Sequence, residues 1–387
     1  MQVGLDDLSR CVGNPDVFAS EIWGVRPLHR IAEDDHGFED LLSLDDVDQI
    51  VSSMGLRLPA FRLVRNGTTL SSDSYTKTTR TGSQSAAGVM DANAVFREFA
   101  EGATIVFQGM HRYWFPLARF CRHLEQTLGH PVQANAYVTP PGSQGLSAHE
   151  DEHDVFVLQA NGTKEWRVYQ QHDLPPSRPP LVDAAVGPGD SLYIPRGFPH
   201  AASTQAQASV HITVGILSIT WASALREAAK LAERDPSLGE PLPLQYAQRP
   251  GVFRELVQER LAEIGGLVAK ADAATIAERL RRRLLTTRQP ILRGQIHQIL
   301  ALGDLSDRSK VRLRDGAMCS FGPVGGELSV LLADRELRMP GWLEPTIEHI
   351  VSRERLGVDE LSPYLDEPGR MVLVRRLIME GLLEVDE

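Results

Sequence analysis

Between about residue 103 and residue 220 the chain breaks into short apolar runs separated by Gly and Pro, and this rhythm limits the possible folds severely. The runs at 103–108, 133–138, 155–159, 164–169, 191–194 and 211–217 have the length and the β-branched or aromatic content of strands. Turn signals lie between them: Pro140-Pro141-Gly142, Asn161-Gly162, Gly187-Pro188-Gly189-Asp190 and Arg196-Gly197. Only 113–128 in this stretch has helical spacing. Many short strands with so little helix predict a sandwich or barrel. The segment 159–164 reads as a hairpin, since Asn-Gly suits the positive φ angles of a type I′ turn.

The flanks differ in texture. Residues 16–23 place Phe18, Ile22 and Trp23 at helical spacing before Pro27 stops the helix. Ser43, followed by Asp45 and Asp46, opens a second helix with a capping hydroxyl and acidic first-turn residues. The stretch 66–85, rich in Ser, Thr and Gly, reads as an exposed loop and a candidate lid or substrate contact. After Trp221 the segments 222–234, 252–271 and 274–286 are helical, the last two amphipathic. From about residue 310 the pattern becomes short strand, helix, helix, then a strand at 382–385. The chain is thus mixed α+β. Its expected divisions are 1–224, with a barrel core at about 90–220, then 225–305 and 306–387.

Composition excludes several classes. With 387 residues of which 42% are apolar, the chain can build a core without staples. Cys11, Cys121 and Cys319 lie too far apart for a disulfide framework or zinc knuckle, so a reducing, cytoplasmic setting is expected. No apolar run approaches the ~18 residues of a membrane span. The opening residues lack the basic and apolar regions of a secretory signal. A net charge of −11 argues against a broad nucleic-acid footprint. Residues 301–387 carry 11 Arg and Lys against 17 Asp and Glu, a net −6, so direct DNA binding is not expected there. Arg370, Arg375 and Arg376 read as a solvated helix face.

The chemistry concentrates in two segments. His149-Glu150-Asp151 follows the Pro-Gly turn, and if it sits at a strand edge, period-two alternation turns His149 and Asp151 to one face. A bare His-x-Asp occurs often by chance, and a metal needs a third ligand from elsewhere. Gly189-Asp190-Ser191-Leu192-Tyr193-Ile194-Pro195-Arg196-Gly197-Phe198-Pro199-His200 delivers His200 just past an apolar strand. Two histidines and one carboxylate form the facial triad of non-haem Fe(II) oxygenases, which leaves positions open for co-substrate and O₂. His211 competes as third ligand, but within an apolar strand it reads better as a satisfied core histidine. His153 and Asp154 read as a solvated polar cluster, and His111 and His130 as structural or surface residues.

Several of these motifs together resemble one family. Tyr137-Val138-Thr139-Pro140-Pro141-Gly142-Ser143-Gln144-Gly145, His149-x-Asp151, Asp154-Val-Phe-Val-Leu-Gln159, Gly162-x-Lys164-x-Trp166-Arg167-Val168-Tyr169 and the run ending at His200 are similar to the JmjC-type ribosomal oxygenases. The likeness is densest from about 90 to 220 and extends weakly to Phe18, Trp23 and Arg26-Pro27-Leu28.

The resemblance implies a double-stranded β-helix of the JmjC or cupin-like jelly-roll type, Fe(II) at His149, Asp151 and His200, and 2-oxoglutarate and O₂ as co-substrates. It gives Lys164 and Tyr137 the distal carboxylate of 2-oxoglutarate, with Asn135 and Thr213 as further contacts. It also implies a helical dimerisation region, a C-terminal winged-helix-like domain and a homodimer. The function expected is hydroxylation of a side chain in a protein or peptide, a ribosomal protein among the candidates. Two other readings remain at this point: a hydroxylase of a small-molecule or peptide natural product, and an inactive cupin-like module. The complete ligand set with Lys164 argues against the last.

Overall fold

The computed structural model describes residues 2–32, 37–143, 148–204 and 207–386, and divides into two compact units, Met1–Ser218 and Ile219–Glu387. In the first, the strands are β1 (Leu28–Arg30), β2 (Phe61–Arg65), β3 (Thr68–Thr69), β4 (Thr76–Thr81), β5 (Gln84–Met90), β6 (Thr104–Phe107), β7 (Val132–Thr139), β8 (Asp154–Asn161), β9 (Lys164–Val168), β10 (Val182–Val186), β11 (Ser191–Ile194), β12 (His200–Thr204) and β13 (Ser209–Ile216). Among the described residues they form a large antiparallel sheet in the order β1-β11-β8-β13-β7-β6-β2-β3, a small sheet β10-β9-β12, and a separate β4-β5 pair. A cavity lined from both main sheets lies between them, the arrangement of a double-stranded β-helix.

Alternation along the central strands decides which residues meet that cavity. Ala134, Ala136 and Val138 of β7, Phe156, Leu158 and Ala160 of β8, and Val210, Ile212, Val214 and Ile216 of β13 are buried in one outer core. That core includes Leu8 and Cys11 of the helix Gln2–Val12, and Leu117, Phe120 and Leu124 of the helix Phe115–Leu128. The residues between them, Asn135, Tyr137, Thr139, His211, Thr213 and Gly215, turn inward and line the cavity. Apolar positions therefore hold the helices, and polar ones are spent on a hollow interior.

The N-terminal segment seals the outer side. Phe18 and Trp23 pack their rings on Tyr193 of β11, with centroids 4.9 and 6.0 Å away. Ser43 and Asp46 form a reciprocal capping box at the start of Leu44–Ser53, as the sequence leads one to expect.

Three expectations need correction. The segment 66–85 is not a loop, because β3, β4 and most of the turn into β5 fall within it; Thr76–Thr81 pairs with Gln84–Met90 around Gly82 at φ +62°. Threonine is β-branched and forms an exposed strand without an apolar face, which a reading based on polarity overlooks. The Asn161-Gly162 turn does not close a hairpin. It passes the chain from β8 in the large sheet to β9 in the small one, and among the described residues the two strands are not paired. Of its two central residues, Gly162 alone has positive φ, so the turn is not type I′. The strands β10 and β12 also carried too weak a pattern to be predicted.

In the second unit the helices Trp221–Ala232, Pro250–Ala269, Ala273–Thr286 and Gln295–Ala301 precede β14 (Lys310–Leu313), β15 (Cys319–Val324), β16 (Glu327–Leu332), β17 (Arg335–Pro340), β18 (Arg355–Gly357) and β19 (Leu383–Val385). A third correction applies here: β15-β16-β17 is an antiparallel meander where strand then helix was expected. Its first turn is Gly325-Gly326, both at positive φ, a two-residue hairpin turn. Val311, Val330, Ile347, Leu356, Val374 and Leu377 share the core of this unit. Arg370 and Arg376 are paired with Asp307 and Glu380. Among the described residues, no helix is long and apolar enough to cross a membrane.

Candidate metal centre

The sequence brings His149, Asp151 and His200 together by main-chain hydrogen bonds. His149 N donates to His200 O at 3.1 Å, and His200 N to His149 O at 2.8 Å. Gly197 N donates to Asp151 O at 2.9 Å, so the loop before β12 fixes the carboxylate's backbone as well. Gly197 sits at φ +74°, and a Cβ there would lie 2.8 Å from the His172 ring, so this loop needs a glycine. His149 thus belongs to an isolated bridge and Asp151 to an irregular segment, where a continuous strand edge was expected. The tie to β12 does the work expected of alternation.

The donor atoms of the three side chains all lie within 4.8 Å of one another. His200 Nε2 is 3.7 Å from Asp151 Oδ2, inside the ~4.2 Å that two metal–ligand bonds of ~2.1 Å can span. His200 Nδ1 lies 3.0 Å from Phe198 O, a bond in which the ring donates and which leaves Nε2 as a lone-pair donor. Burial, and then the neighbouring His149, lowers the His200 pKa, so the imidazole is neutral as a ligand must be. Two imidazoles and one carboxylate with an open side suit Fe(II).

The remaining expected residues line the same cavity of about 180 Å³. Lys164, 3% exposed, opens β9 and donates from Nζ to Thr139 Oγ1 at 3.1 Å. Burial pushes its pKa down to about 7. Among the described residues no carboxylate pairs with Lys164. A buried cation without an anion is costly, and a cavity that contains one suits an anionic ligand. Tyr137 stacks on His211 with centroids 4.8 Å apart and planes 3° from parallel. Burial raises the pKa of its hydroxyl, with Arg62 and Thr213 nearby, so it stays protonated and can donate. Asn135 faces Thr213 across the β7–β13 ladder, and its Oδ1 accepts from Gly109 N at 2.9 Å.

Other residues near the site were given no role in it by the sequence. Arg62, Val106, Tyr137 and His211 stand in register across β2, β6, β7 and β13, which puts Arg62 on the inner face. Thr139 continues the period-two series from Asn135 and Tyr137, and that spacing was a usable signal. Trp166, two residues after Lys164, has a buried indole N–H with no acceptor among the described residues. His153 lines the cavity and fits against Gly215, where a Cβ would come within 2.9 Å of its Nε2. Asp154 is not part of a solvated cluster. It is buried and accepts from Tyr193 Oη at 2.8 Å and Ser218 Oγ at 2.9 Å. His211 is fully enclosed and is not among the converging metal donors. His111 Nδ1 accepts from Ala134 N, and His130 stacks on Trp23. The 144–147 part of the Pro-Gly motif lies outside the described residues.

Residues 110–224 match the JmjC domain family. The bifunctional lysine-specific demethylase and histidyl-hydroxylase NO66 of Drosophila persimilis is 32% identical over 177 residues, 41% of this chain and 26% of that protein. Ribosomal oxygenase 1 of Gallus gallus is 30% identical over 215 residues, 52% of this chain and 34% of that protein. The alignments thus cover about a quarter to a third of these relatives. The solved structure of YcfD, a ribosomal oxygenase from Escherichia coli in complex with cobalt and 2-oxoglutarate, has a TM-score of 0.54 at 16% identity. It covers 97% of this chain and 98% of its own, a likeness of fold. Residues 110–224 thus carry the sequence pattern of a JmjC domain, and the fold over nearly the whole length resembles that of a ribosomal oxygenase.

Proposed function

We propose that the protein is an Fe(II)- and 2-oxoglutarate-dependent oxygenase that hydroxylates a side chain of a ribosomal protein. One observation supports this above the rest: the His149, Asp151 and His200 donors share a cavity with a buried lysine that has no anionic partner among the described residues. When bound, iron with 2-oxoglutarate and O₂ supplies the oxidant for an unactivated C–H bond. The chain's own residues bind and orient. His149, Asp151 and His200 hold the metal, Lys164 and Tyr137 meet the distal carboxylate, and Asn135 and Thr213 shape the wall between. The outer core of β7, β8 and β13 keeps water from the cavity's back.

The proposed substrate class rests on charge and on the names of the relatives. A chain of net charge −11 attracts basic, loop-bearing proteins by long-range complementarity. We further infer a homodimer through the 225–305 helices, a winged-helix-like role for 306–387 in protein contact, and a cytoplasmic setting. Neither Pro250–Ala269 nor Ala273–Thr286 buries a residue, although both carry Leu and Ile, which favours a second copy as cover. Light scattering at micromolar concentration should give twice the monomer mass.

The deciding experiment incubates purified protein with Fe(II), 2-oxoglutarate and ribosomal proteins, and reads a +16 Da shift by mass spectrometry. The expected result is one modified peptide, absent with H149A or D151A. Efficient turnover of a free small molecule with ribosomal proteins left unmodified would replace this reading.

A further inference from the structure

His211 was expected to be an inert core histidine, yet its surroundings give it a task. Its Nδ1 lies 3.4 Å from Lys164 Nζ, so a ring protonated at Nε2 accepts from the ammonium. The ring cannot turn away. Tyr137 stacks flat on it at 4.8 Å, and Trp166 meets it edge-on at 5.4 Å and 88°. All four residues line the cavity.

An ammonium has three N–H bonds, set roughly tetrahedrally. Thr139 Oγ1 takes one at 3.1 Å and His211 Nδ1 a second, both neutral acceptors on the wall. One donor remains for whatever enters the cavity. A lysine side chain carries much rotamer freedom, and two fixed acceptors remove it before the ligand arrives. Burial, and then the nearby Lys164 charge, holds the imidazole well below its usual pKa, so it stays an acceptor.

We propose that His211 is a positioning residue, which with Thr139 orients Lys164 so that its remaining N–H meets the distal carboxylate of 2-oxoglutarate. The proposal rests on the reading of Lys164 as that carboxylate's partner, and its test separates the two.

The measurement is calorimetric binding of 2-oxoglutarate in Mn(II)-loaded protein, with pyruvate, which lacks the distal carboxylate, as control probe. H211F keeps an aromatic ring against Tyr137 but removes the acceptor. H211N restores an acceptor near the Nδ1 position. The expected result is a roughly tenfold weaker Kd for 2-oxoglutarate with H211F, within about threefold of wild type with H211N. Mn(II) and pyruvate binding should not change. In a K164M background, H211F should produce no further loss.

Wild-type affinity in H211F, or equal losses in H211F and H211N, would overturn the role of His211. Were H211F to misfold, as shown by lost Mn(II) affinity, H211N alone decides, a tenfold loss there counting against the proposal. Undiminished 2-oxoglutarate binding by K164M would instead overturn the underlying reading of Lys164.

Discussion

His149 and His200 hold each other by their backbones: each donates its N–H to the other's carbonyl, at 3.1 and 2.8 Å. The two imidazoles, with centroids 4.4 Å apart, therefore sit side by side through contacts that involve no side-chain atom. A metal is not required to bring them together, and the ligand set is largely organised in advance.

The first prediction follows from that division between backbone and side chain. H149A, D151A and H200A should each lose bound metal and lower turnover by at least about a hundredfold, since a ligand and not a support is removed. Their metal-free forms should melt within a few degrees of the metal-free parent, because the bridge survives. Metal analysis and circular dichroism check both halves. A metal-free variant that melts far below the parent would mean that the imidazoles support the fold.

A second prediction concerns pH. Lys164 has a pKa near 7 in the folded protein against 10.5 as its ordinary value. Between those values the unfolded chain holds the extra proton, so stability rises with pH through this window, and the full cost is present below 7. K164M has no charge to bury. It should exceed the ligand-free parent in stability by a few kcal/mol at pH 6.5, and the advantage should shrink toward pH 10. Binding of 2-oxoglutarate should take up a proton above pH 7, which calorimetry in buffers of different ionisation enthalpy reads directly. A stability difference that did not change with pH would contradict the burial of a charge here.

The sequence makes some of this site legible and hides the rest for physical reasons. His149, Asp151, His200, Lys164 and Tyr137 stand in short motifs beside turn residues, where local chemistry and position coincide. Arg62 of β2 comes onto the same sheet face as Tyr137 and His211 only because four strands align in register. No local pattern encodes that. His211 shows a second limit: its apolar strand neighbours, Val210 and Ile212, face the outer core while it faces the cavity. Alternation was visible, but which face is hollow depends on the closure of both sheets. Thr76–Thr81 shows a third, because an exposed strand has no apolar signature to find.

The turn at Gly162 carries a third prediction. A Cβ there would lie 1.9 Å from the carbonyl oxygen of Ala208, with φ at +64°. G162A must therefore move the entry to β13 as well as adopt a left-handed backbone, at about 3–4 kcal/mol. Gly55 offers the comparison, with φ +59° and nothing within 4 Å of its Cβ, so G55A should cost only about 1 kcal/mol. Urea denaturation of both variants measures the difference. Equal losses would show that the contact with Ala208 yields without cost.

The final prediction concerns Asp154, which lies at the start of β8 just beyond the metal segment. Its Oδ1 accepts from Tyr193 Oη at 2.8 Å and its Oδ2 from Ser218 Oγ at 2.9 Å. Tyr193 Oη in turn accepts from Gly24 N at 2.9 Å, so one carboxylate ties β8, β11 and the N-terminal cover together. D154A would leave the buried tyrosine hydroxyl without its acceptor and should cost about 2–4 kcal/mol. D154N keeps an acceptor for Tyr193, and the Ser218 hydroxyl can accept from the new amide, so its cost should stay near 1 kcal/mol. Y193F alone should also be mild, because it leaves a carboxylate that still has Ser218 and the Arg196 N–H, 3.4 Å away. In combination, D154A should cost less in the Y193F background than in the parent, by about 1–2 kcal/mol of coupling. Denaturation of the four proteins completes the cycle. Strict additivity would mean that Asp154 and Tyr193 stabilise the unit independently, and that the tie to the N-terminal cover does not run through their hydrogen bond.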